Sequence, residues 1–151
     1  MANITIYTDG SSRGNPGPGG WGSILISGEN RKEISGGFKF TTNNRMELMS
    51  VICALEALKT SGNDITIYSD SQYVVNSVEK GWVFNWIRNN KKDAKNMDLW
   101  KRFVSLYPNN KMKFIWVKGH ASNELNNRCD VLATTAARQK DLPTDIGYGK
   151  N

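Results

Sequence analysis

Two short stretches of the chain share nearly the same pattern of β-branched, aromatic and polar residues. Residues 4–11 read ITIYTDGS, and residues 65–71 read ITIYSDS. Such residues suit strands that are buried on both faces, and strands of this kind are usually parallel neighbours in the centre of a sheet. Paired in register, they would place Asp9 and Asp70 side by side, with backbones roughly 5 Å apart. Carboxylates that close repel each other unless a proton or a cation lies between them, so the pattern predicts a functional site at this edge.

The segment after the first strand predicts the start of a meander. Residues 10–20 are rich in glycine and proline and indicate a wide, non-repetitive turn. Two further strands, at residues 21–27 and 33–40, are separated by only a few residues and are therefore expected to be antiparallel.

A long helix is predicted after Thr42, Asn43 and Asn44, whose side chains can cap its first turn. Its apolar residues recur at helical spacing. They are Leu48, Val51, Ile52, Leu55 and Leu58. Glu47 lies on the same stripe, so its carboxylate is expected to face the sheet. Because a buried, unpaired carboxylate is costly, a bound cation or a catalytic role is the better explanation for it.

Three features of the sequence each allow two interpretations. Trp82 and Trp86 share one helix face among several lysines, and could pack on a neighbouring helix or form a platform for nucleic acid. His120, the only histidine, follows a predicted strand in an accessible loop, although a lone loop histidine is often incidental. Asp130 lies early in the last helix, where it could interact only with the helix dipole or be a fourth converging carboxylate.

The candidate chemistry follows from the ligand types and the charge. Asp9, Glu47, Asp70 and Asp130 offer hard oxygen ligands without a cysteine or histidine cluster, so Mg²⁺ or Mn²⁺ is expected rather than zinc. The chain has 20 lysines and arginines against 14 acids, a net charge of +6, which favours a polyanionic partner such as nucleic acid. In such a protein, paired ions suit in-line displacement at phosphorus.

Composition predicts one domain over residues 1–142 and a flexible C-terminal tail over residues 143–151, which contain Pro143, Gly147 and Gly149. No apolar run approaches the length of a membrane span, and no secretory signal is recognisable. Cys53 and Cys129 are far from any CxxC spacing and are expected to be buried thiols. These features favour a cytoplasmic protein.

Six blocks of the sequence resemble bacterial ribonuclease HI, in order and over nearly the whole chain. They are YTDGS at 7–11, GNPGPGG at 14–20, TNNRMEL at 42–48, SDSQY at 69–73, WVKGH at 116–120 and NNRCD at 126–130. The resemblance implies an α/β, ribonuclease H-like three-layer fold with a five-stranded mixed sheet, order 3-2-1-4-5, and helices on both faces. It also implies a monomeric endonuclease that hydrolyses the RNA strand of RNA/DNA hybrids to 5′-phosphate and 3′-hydroxyl ends.

The same resemblance implies roles for individual residues. Asp9, Glu47, Asp70 and Asp130 would hold two Mg²⁺, with Mn²⁺ as a substitute, and His120 would assist proton transfer or product departure. Thr42 and Asn96 would form a pocket for a DNA-strand phosphate, and Trp82 and Trp86 a channel for the DNA strand. Further residues would line the minor groove and sense 2′-hydroxyl groups. These are Gly10, Ser11, Asn15, Asn43, Asn44 and Gln72.

Two departures from the family pattern concern hybrid affinity. Phe40 stands where the family's phosphate pocket often has an arginine, and the basic segment between Trp82 and Trp100 is shorter than in strongly basic members.

Two rival functions would each be expected to show a different sequence from this one. A DNA-cutting relative on the same fold has no need for the asparagine-rich 2′-hydroxyl readers, and a catalytically inactive hybrid-binding module is expected to have lost a carboxylate.

Overall fold

The computed structural model describes residues 2–118 and 123–148. The strands in this part of the chain are β1 (Asn3–Ser12), β2 (Gly17–Ser27), β3 (Asn30–Thr41), β4 (Asp64–Ser69) and β5 (Lys111–Trp116). The α-helices are α1 (Asn43–Glu56), α2 (Gln72–Glu79), α3 (Trp82–Arg88), α4 (Met97–Leu106) and α5 (Glu124–Ala137). A short 3-10 helix, Tyr107–Asn109, follows α4.

The strands form one mixed sheet in the order β3-β2-β1-β4-β5, as predicted. β1 is antiparallel to β2 and parallel to β4, and β5 continues the parallel half. The two similar stretches pair in the expected register, with Ile6 opposite Ile67 and Tyr7 opposite Tyr68. This register brings Asp9 and Asp70 to the same end of the two strands.

Helices cover both faces of the sheet, which confirms the three-layer architecture. Gly19 and Gly20 of β2 face opposite sides of the sheet, because successive residues of a strand point in opposite directions. A Cβ on Gly19 would lie 2.9 Å from Met46 Cγ of α1, whereas one on Gly20 would lie 2.1 Å from the Ala133 carbonyl oxygen of α5. Glycine therefore lets both helices lie close to β2. The main core fills the α1 face, where α2 and α4 also pack.

Two local predictions were wrong. The glycine-rich segment is not a wide turn over residues 10–20, because β1 and β2 continue pairing as far as Ser12 and Gly19. Nor are β1 and β4 equally buried on both faces: Ile4 and Ile6 are buried, but Thr5 and Tyr7 are only half-buried. The difference arises because Ile4 and Ile6 face the main core, whereas Thr5 and Tyr7 point to the opposite face, where they stay partly exposed.

The segment predicted to be a flexible tail packs on the domain as far as residue 148. The Pro143 carbonyl accepts a hydrogen bond from the Lys39 N–H at 2.9 Å. Asp145 is 5% exposed and accepts from Thr41 Oγ1 at 2.6 Å. The Tyr148 ring meets Phe40 edge to face, with centroids 5.6 Å apart. The prediction missed these contacts because they join residues about a hundred positions apart.

None of the helices within residues 2–118 and 123–148 combines the length and the apolar character needed to cross a membrane.

Candidate active site

Three acidic side chains converge where β1 and β4 end. Asp9 lies in β1, Asp70 is the first residue after β4, and Glu47 is in the second turn of α1. One carboxylate oxygen from each lies within 4.8 Å of the others. Asp9 and Glu47 are 5% and 4% exposed, so both charges are largely removed from water. The predicted proximity of the two aspartates and the inward direction of Glu47 are therefore both observed.

Gly10 allows α1 to bring Glu47 this close to the sheet. A Cβ on Gly10 would lie 2.2 Å from the Glu47 main-chain nitrogen, so any side chain here would push the helix away. The Gly10 N–H donates to Asp9 Oδ1 at 2.9 Å and also to Glu47 Oε1. One backbone donor thus orients two of the three carboxylates. The substrate-binding role that the resemblance implies for Gly10 stays a prediction, and its observed contacts hold the acidic group.

Burial and mutual repulsion dominate the electrostatics of this group. Burial, followed by the charges of Asp70 and Asp130, raises the pKa of Asp9 to about 8, although hydrogen bonds with Glu47 and Gly10 act in the opposite direction. Burial and the neighbouring Asp9 and Asp70 raise the pKa of Glu47 well above its ordinary value. Without a cation, the group is therefore expected to retain a proton near neutral pH.

The acidic group lies in a cleft of about 340 Å³. Its lining comprises Asp9, Gly10, Ser11, Asn43, Glu47, Asp70, Asn126, Asn127 and Asp130. Asp130 is half-buried and lies outside the set of three whose oxygens are within 4.8 Å of one another. Sequence reasoning did not single out Asn126, which is 3% exposed. Its position one turn before Asp130 on α5 is the signal that could have found it.

A second, polar cavity of about 470 Å³ contains the two residues predicted to bind a DNA phosphate. Thr42 and Asn96 both line it, together with Asn15, Asn44, Arg45, Lys95 and Tyr148. The Asn96 side-chain amide donates to the Tyr73 hydroxyl at 3.1 Å. Lys95 and Tyr148 were not predicted here. Tyr148 could not have been, because only the docking of the C-terminal segment brings it to the cavity.

The other predicted substrate residues lie around these two cavities or farther along α3. Asn15 accepts a hydrogen bond from the Asn43 N–H at 3.1 Å, and Gln72 is exposed at the start of α2. Trp82 is 42% exposed, and the Lys80 ammonium lies 5.3 Å from the centroid of its ring. Trp86 is half-buried and meets Trp100 edge to face at 6.3 Å, so packing accounts for part of its role. His120 lies outside the described residues.

Comparison with known proteins agrees with this geometry. The RNase H family profile matches residues 1–138. The chain belongs to the ribonuclease H family. It is 52% identical to the ribonuclease H of Syntrophus aciditrophicus over 150 residues, which are 96% of this chain and 86% of that protein.

Solved structures of the family share the fold. LC9-RNase H1, a type 1 RNase H with the type 2 active-site motif, superposes with a TM-score of 0.82 at 30% identity, covering 91% of this chain and 72% of that one. LC11-RNase H1 in complex with an RNA/DNA hybrid superposes with a TM-score of 0.64 at 26% identity, covering 89% and 96% of the two chains. The family and its curated members identify the chain as an endoribonuclease.

The residues of the acidic group fit the divalent metals that ribonuclease H enzymes use. Carboxylate oxygens are the ligands that hard divalent cations prefer. Asp70 Oδ1 is buried and has no hydrogen-bond partner in the described part of the chain, and such an atom is costly unless something binds it. A cation would satisfy this oxygen and offset the burial and the repulsion that raise the pKa values of Asp9 and Glu47.

Proposed function

We propose that this ribonuclease H cuts the RNA strand of RNA/DNA hybrids at the acidic group and leaves 5′-phosphate and 3′-hydroxyl ends. The observation that carries the proposal is the convergence of Asp9, Glu47 and Asp70 with no cationic side chain among the described residues that line their cleft. Such a group is poorly suited to packing alone, because two buried carboxylates beside a half-buried third destabilise the folded chain. The hybrid found bound to LC11-RNase H1 supports the choice of substrate.

The proposed ligands of the metal are Asp9, Glu47, Asp70 and Asp130, with two Mg²⁺ present when the hybrid is bound and Mn²⁺ able to replace them. Bound divalent ions would supply an activated water and stabilise the departing 3′-oxygen. The chain's own part is to hold the carboxylates in position through Gly10 and α1. His120 is proposed to move a proton or to assist product departure.

Substrate selection is assigned to polar side chains beside the acidic group. The proposed readers of 2′-hydroxyl groups are Gly10, Ser11, Asn15, Asn43, Asn44 and Gln72. Asn43 lines the cleft itself, and its backbone is tied to Asn15, which supports a continuous polar surface from the cleft to the second cavity. RNA-strand selection would follow, because DNA lacks the hydroxyl group.

Binding of the DNA strand is assigned to the second cavity and to α3. Thr42 and Asn96 would hold a phosphate there, with Lys95 supplying positive charge beside them. Trp82, exposed and beside Lys80, would contact the DNA strand, and Trp86 would hold that helix against Trp100. The enzyme is proposed to act as a monomer in the cytoplasm.

A substrate comparison tests the proposal. Labelled RNA/DNA hybrid, RNA duplex, DNA duplex and single-stranded RNA are incubated side by side with Mg²⁺, and the ends of the products are mapped. Cleavage confined to the RNA strand of the hybrid, leaving a 5′-phosphate, is expected. Cutting of DNA duplex at a comparable rate would contradict the proposal.

A further inference from the structure

Trp116, the last residue of β5, makes a hydrogen bond to the residue that carries one of the three clustered carboxylates. Its indole Nε1–H donates to the main-chain carbonyl oxygen of Asp70 at 3.1 Å. The side chain is 43% exposed, so burial of its ring accounts for only part of its placement. Its one polar atom is nevertheless engaged with the backbone of the acidic site.

Asp70 lies at the point where the pairing between β4 and β5 ends. β4 ends at Ser69, and Asp70 lies in the bend before Ser71, which caps α2. In the described part of the chain, the last backbone bond between the neighbouring strands runs from the Val117 N–H to the Ser69 carbonyl at 2.9 Å. The carbonyl of the next residue, Asp70, accepts from the indole of Trp116. A side chain therefore extends the bonding between the strands by one residue.

The Asp70 side chain is only partly held by hydrogen bonds, of which one joins it to Glu47. Its Oδ1 atom is buried without a hydrogen-bond partner in residues 2–118 and 123–148, in contrast to Asp9, whose Oδ1 accepts from the Gly10 N–H. The direction of the Asp70 carboxylate therefore depends on the position of its backbone as well as on Glu47. A small rotation of that backbone would move its oxygen relative to those of Asp9 and Glu47.

We propose that Trp116 is a positioning residue, which holds the backbone of Asp70 so that its carboxylate meets the metal. The inference rests on the proposed function, because it requires Asp70 to be a metal ligand. A competing role for an exposed tryptophan beside the cleft is direct contact with the hybrid. The two roles differ in what they change, since positioning affects metal affinity in the free enzyme and contact affects hybrid binding.

The test uses Trp116→Phe, which retains an aromatic ring and removes the N–H donor. Mg²⁺ binding to the full chain is measured by calorimetry without hybrid, and activity is measured across Mg²⁺ concentrations. Because one hydrogen bond makes a modest net contribution, we expect Mg²⁺ to bind about 3- to 10-fold more weakly. Activity should fall by a similar factor at limiting Mg²⁺ and recover at saturating Mg²⁺, with KM for the hybrid unchanged.

Phe114→Leu is the matched control, because Phe114 lies in the same strand, is 4% exposed and packs against Phe103 in the core. It should lower the melting temperature without changing Mg²⁺ affinity, which separates a general loss of stability from a loss of positioning. Thermal melts of both variants confirm that each is folded at the assay temperature.

Each remaining outcome is decisive. Equal Mg²⁺ affinity in the parent and Trp116→Phe, or a raised KM with unchanged metal binding, would overturn the positioning role while leaving the proposed function intact. A parent that takes up no Mg²⁺ would overturn both. Equal weakening in Trp116→Phe and Phe114→Leu would show that the effect is a general consequence of destabilising β5.

Discussion

Arg45 and Glu47 lie two residues apart on α1, are 1% and 4% exposed, and have opposite surroundings. The Arg45 guanidinium makes four hydrogen bonds of 2.7 to 2.9 Å to the carboxylates of Asp98 and Asp145. The Glu47 carboxylate faces Asp9 and Asp70 instead. The first cluster is complete within the chain, whereas the second requires a positive charge that residues 2–118 and 123–148 do not supply.

The difference indicates what each cluster does. A buried charge with all its partners fixes the elements that provide them, and Arg45 joins α1 to the first turn of α4 and to the C-terminal segment. Its bond to Asp98 lowers the pKa of that carboxyl. A group of like charges costs stability and is retained where it binds a ligand or reacts. One end of α1 thus contains a structural anchor beside a functional site.

The largest expected effect is on activity. Asp9→Asn and Asp70→Asn should each lower kcat by roughly 10²- to 10³-fold or more, because each removes a charge on which the reaction depends. Cleavage of labelled hybrid at saturating Mg²⁺ measures this effect. Glu33→Gln serves as the control, since Glu33 pairs with Arg31 and Arg128 on the surface. Parent-like activity in either Asn variant would show that the two aspartates do not share a site.

The next effect is a gain rather than a loss, because removing a carboxylate should stabilise the folded chain when no metal is bound. The pKa of Asp9 rises from 3.8 to about 8 on folding, so the folded chain binds the proton more tightly. The parent therefore loses stability relative to Asp9→Asn as pH rises between these values, and the loss is complete above about pH 8. With chelator at pH 8, we expect Asp9→Asn to be more stable by about 2 to 5 kcal/mol.

Chemical denaturation at pH 4 and pH 8 checks this prediction. The stability difference between Asp9→Asn and the parent should nearly vanish at pH 4, where the raised pKa keeps Asp9 protonated in the folded parent. A difference that stays constant with pH would mean that ionisation of the buried Asp9 carboxyl is not its cause.

In the cluster of Arg45, Asp98 and Asp145, loss of a carboxylate should lower the stability of the folded chain rather than raise it. Asp145→Asn leaves a buried guanidinium with one carboxylate fewer and should destabilise the chain by about 3 kcal/mol. The melting temperature would fall by roughly 6 to 12 °C. Glu33→Gln breaks exposed ion pairs and should cost less than about 1 kcal/mol. Equal shifts in the two variants would remove the contrast between the clusters.

Adding Mg²⁺ should give the smallest of these effects. It tests directly whether the group of Asp9, Glu47 and Asp70 binds metal. Mg²⁺ at a hundredfold excess over its Kd should stabilise the parent by about 2.7 kcal/mol, because only the folded chain forms the site. Asp70→Asn should gain much less, and Asp145→Asn should gain as much as the parent. Melts with Mg²⁺ and with chelator measure the gains, and a full Mg²⁺ response in Asp70→Asn would exclude Asp70 as a ligand.

The sequence by itself determined the strands, the main helix and the position of the acidic group. Each depends on neighbouring residues: the repeated strand pattern places two aspartates in register, and helical spacing turns Glu47 towards the sheet. The family resemblance supplied the strand order, which short-range patterns do not encode. His120 lies outside the described residues, so its role stays a prediction.

Only the tertiary structure decided the contacts between distant segments. The buried position of Arg45, the docking of residues 143–148 through Asp145 and the bond from Trp116 to Asp70 all join residues far apart in the chain. Each residue alone resembles an ordinary surface charge, tail residue or strand end. Periodicity shows which side of an element is apolar, but which polar groups meet depends on how the packed elements bring their ends together.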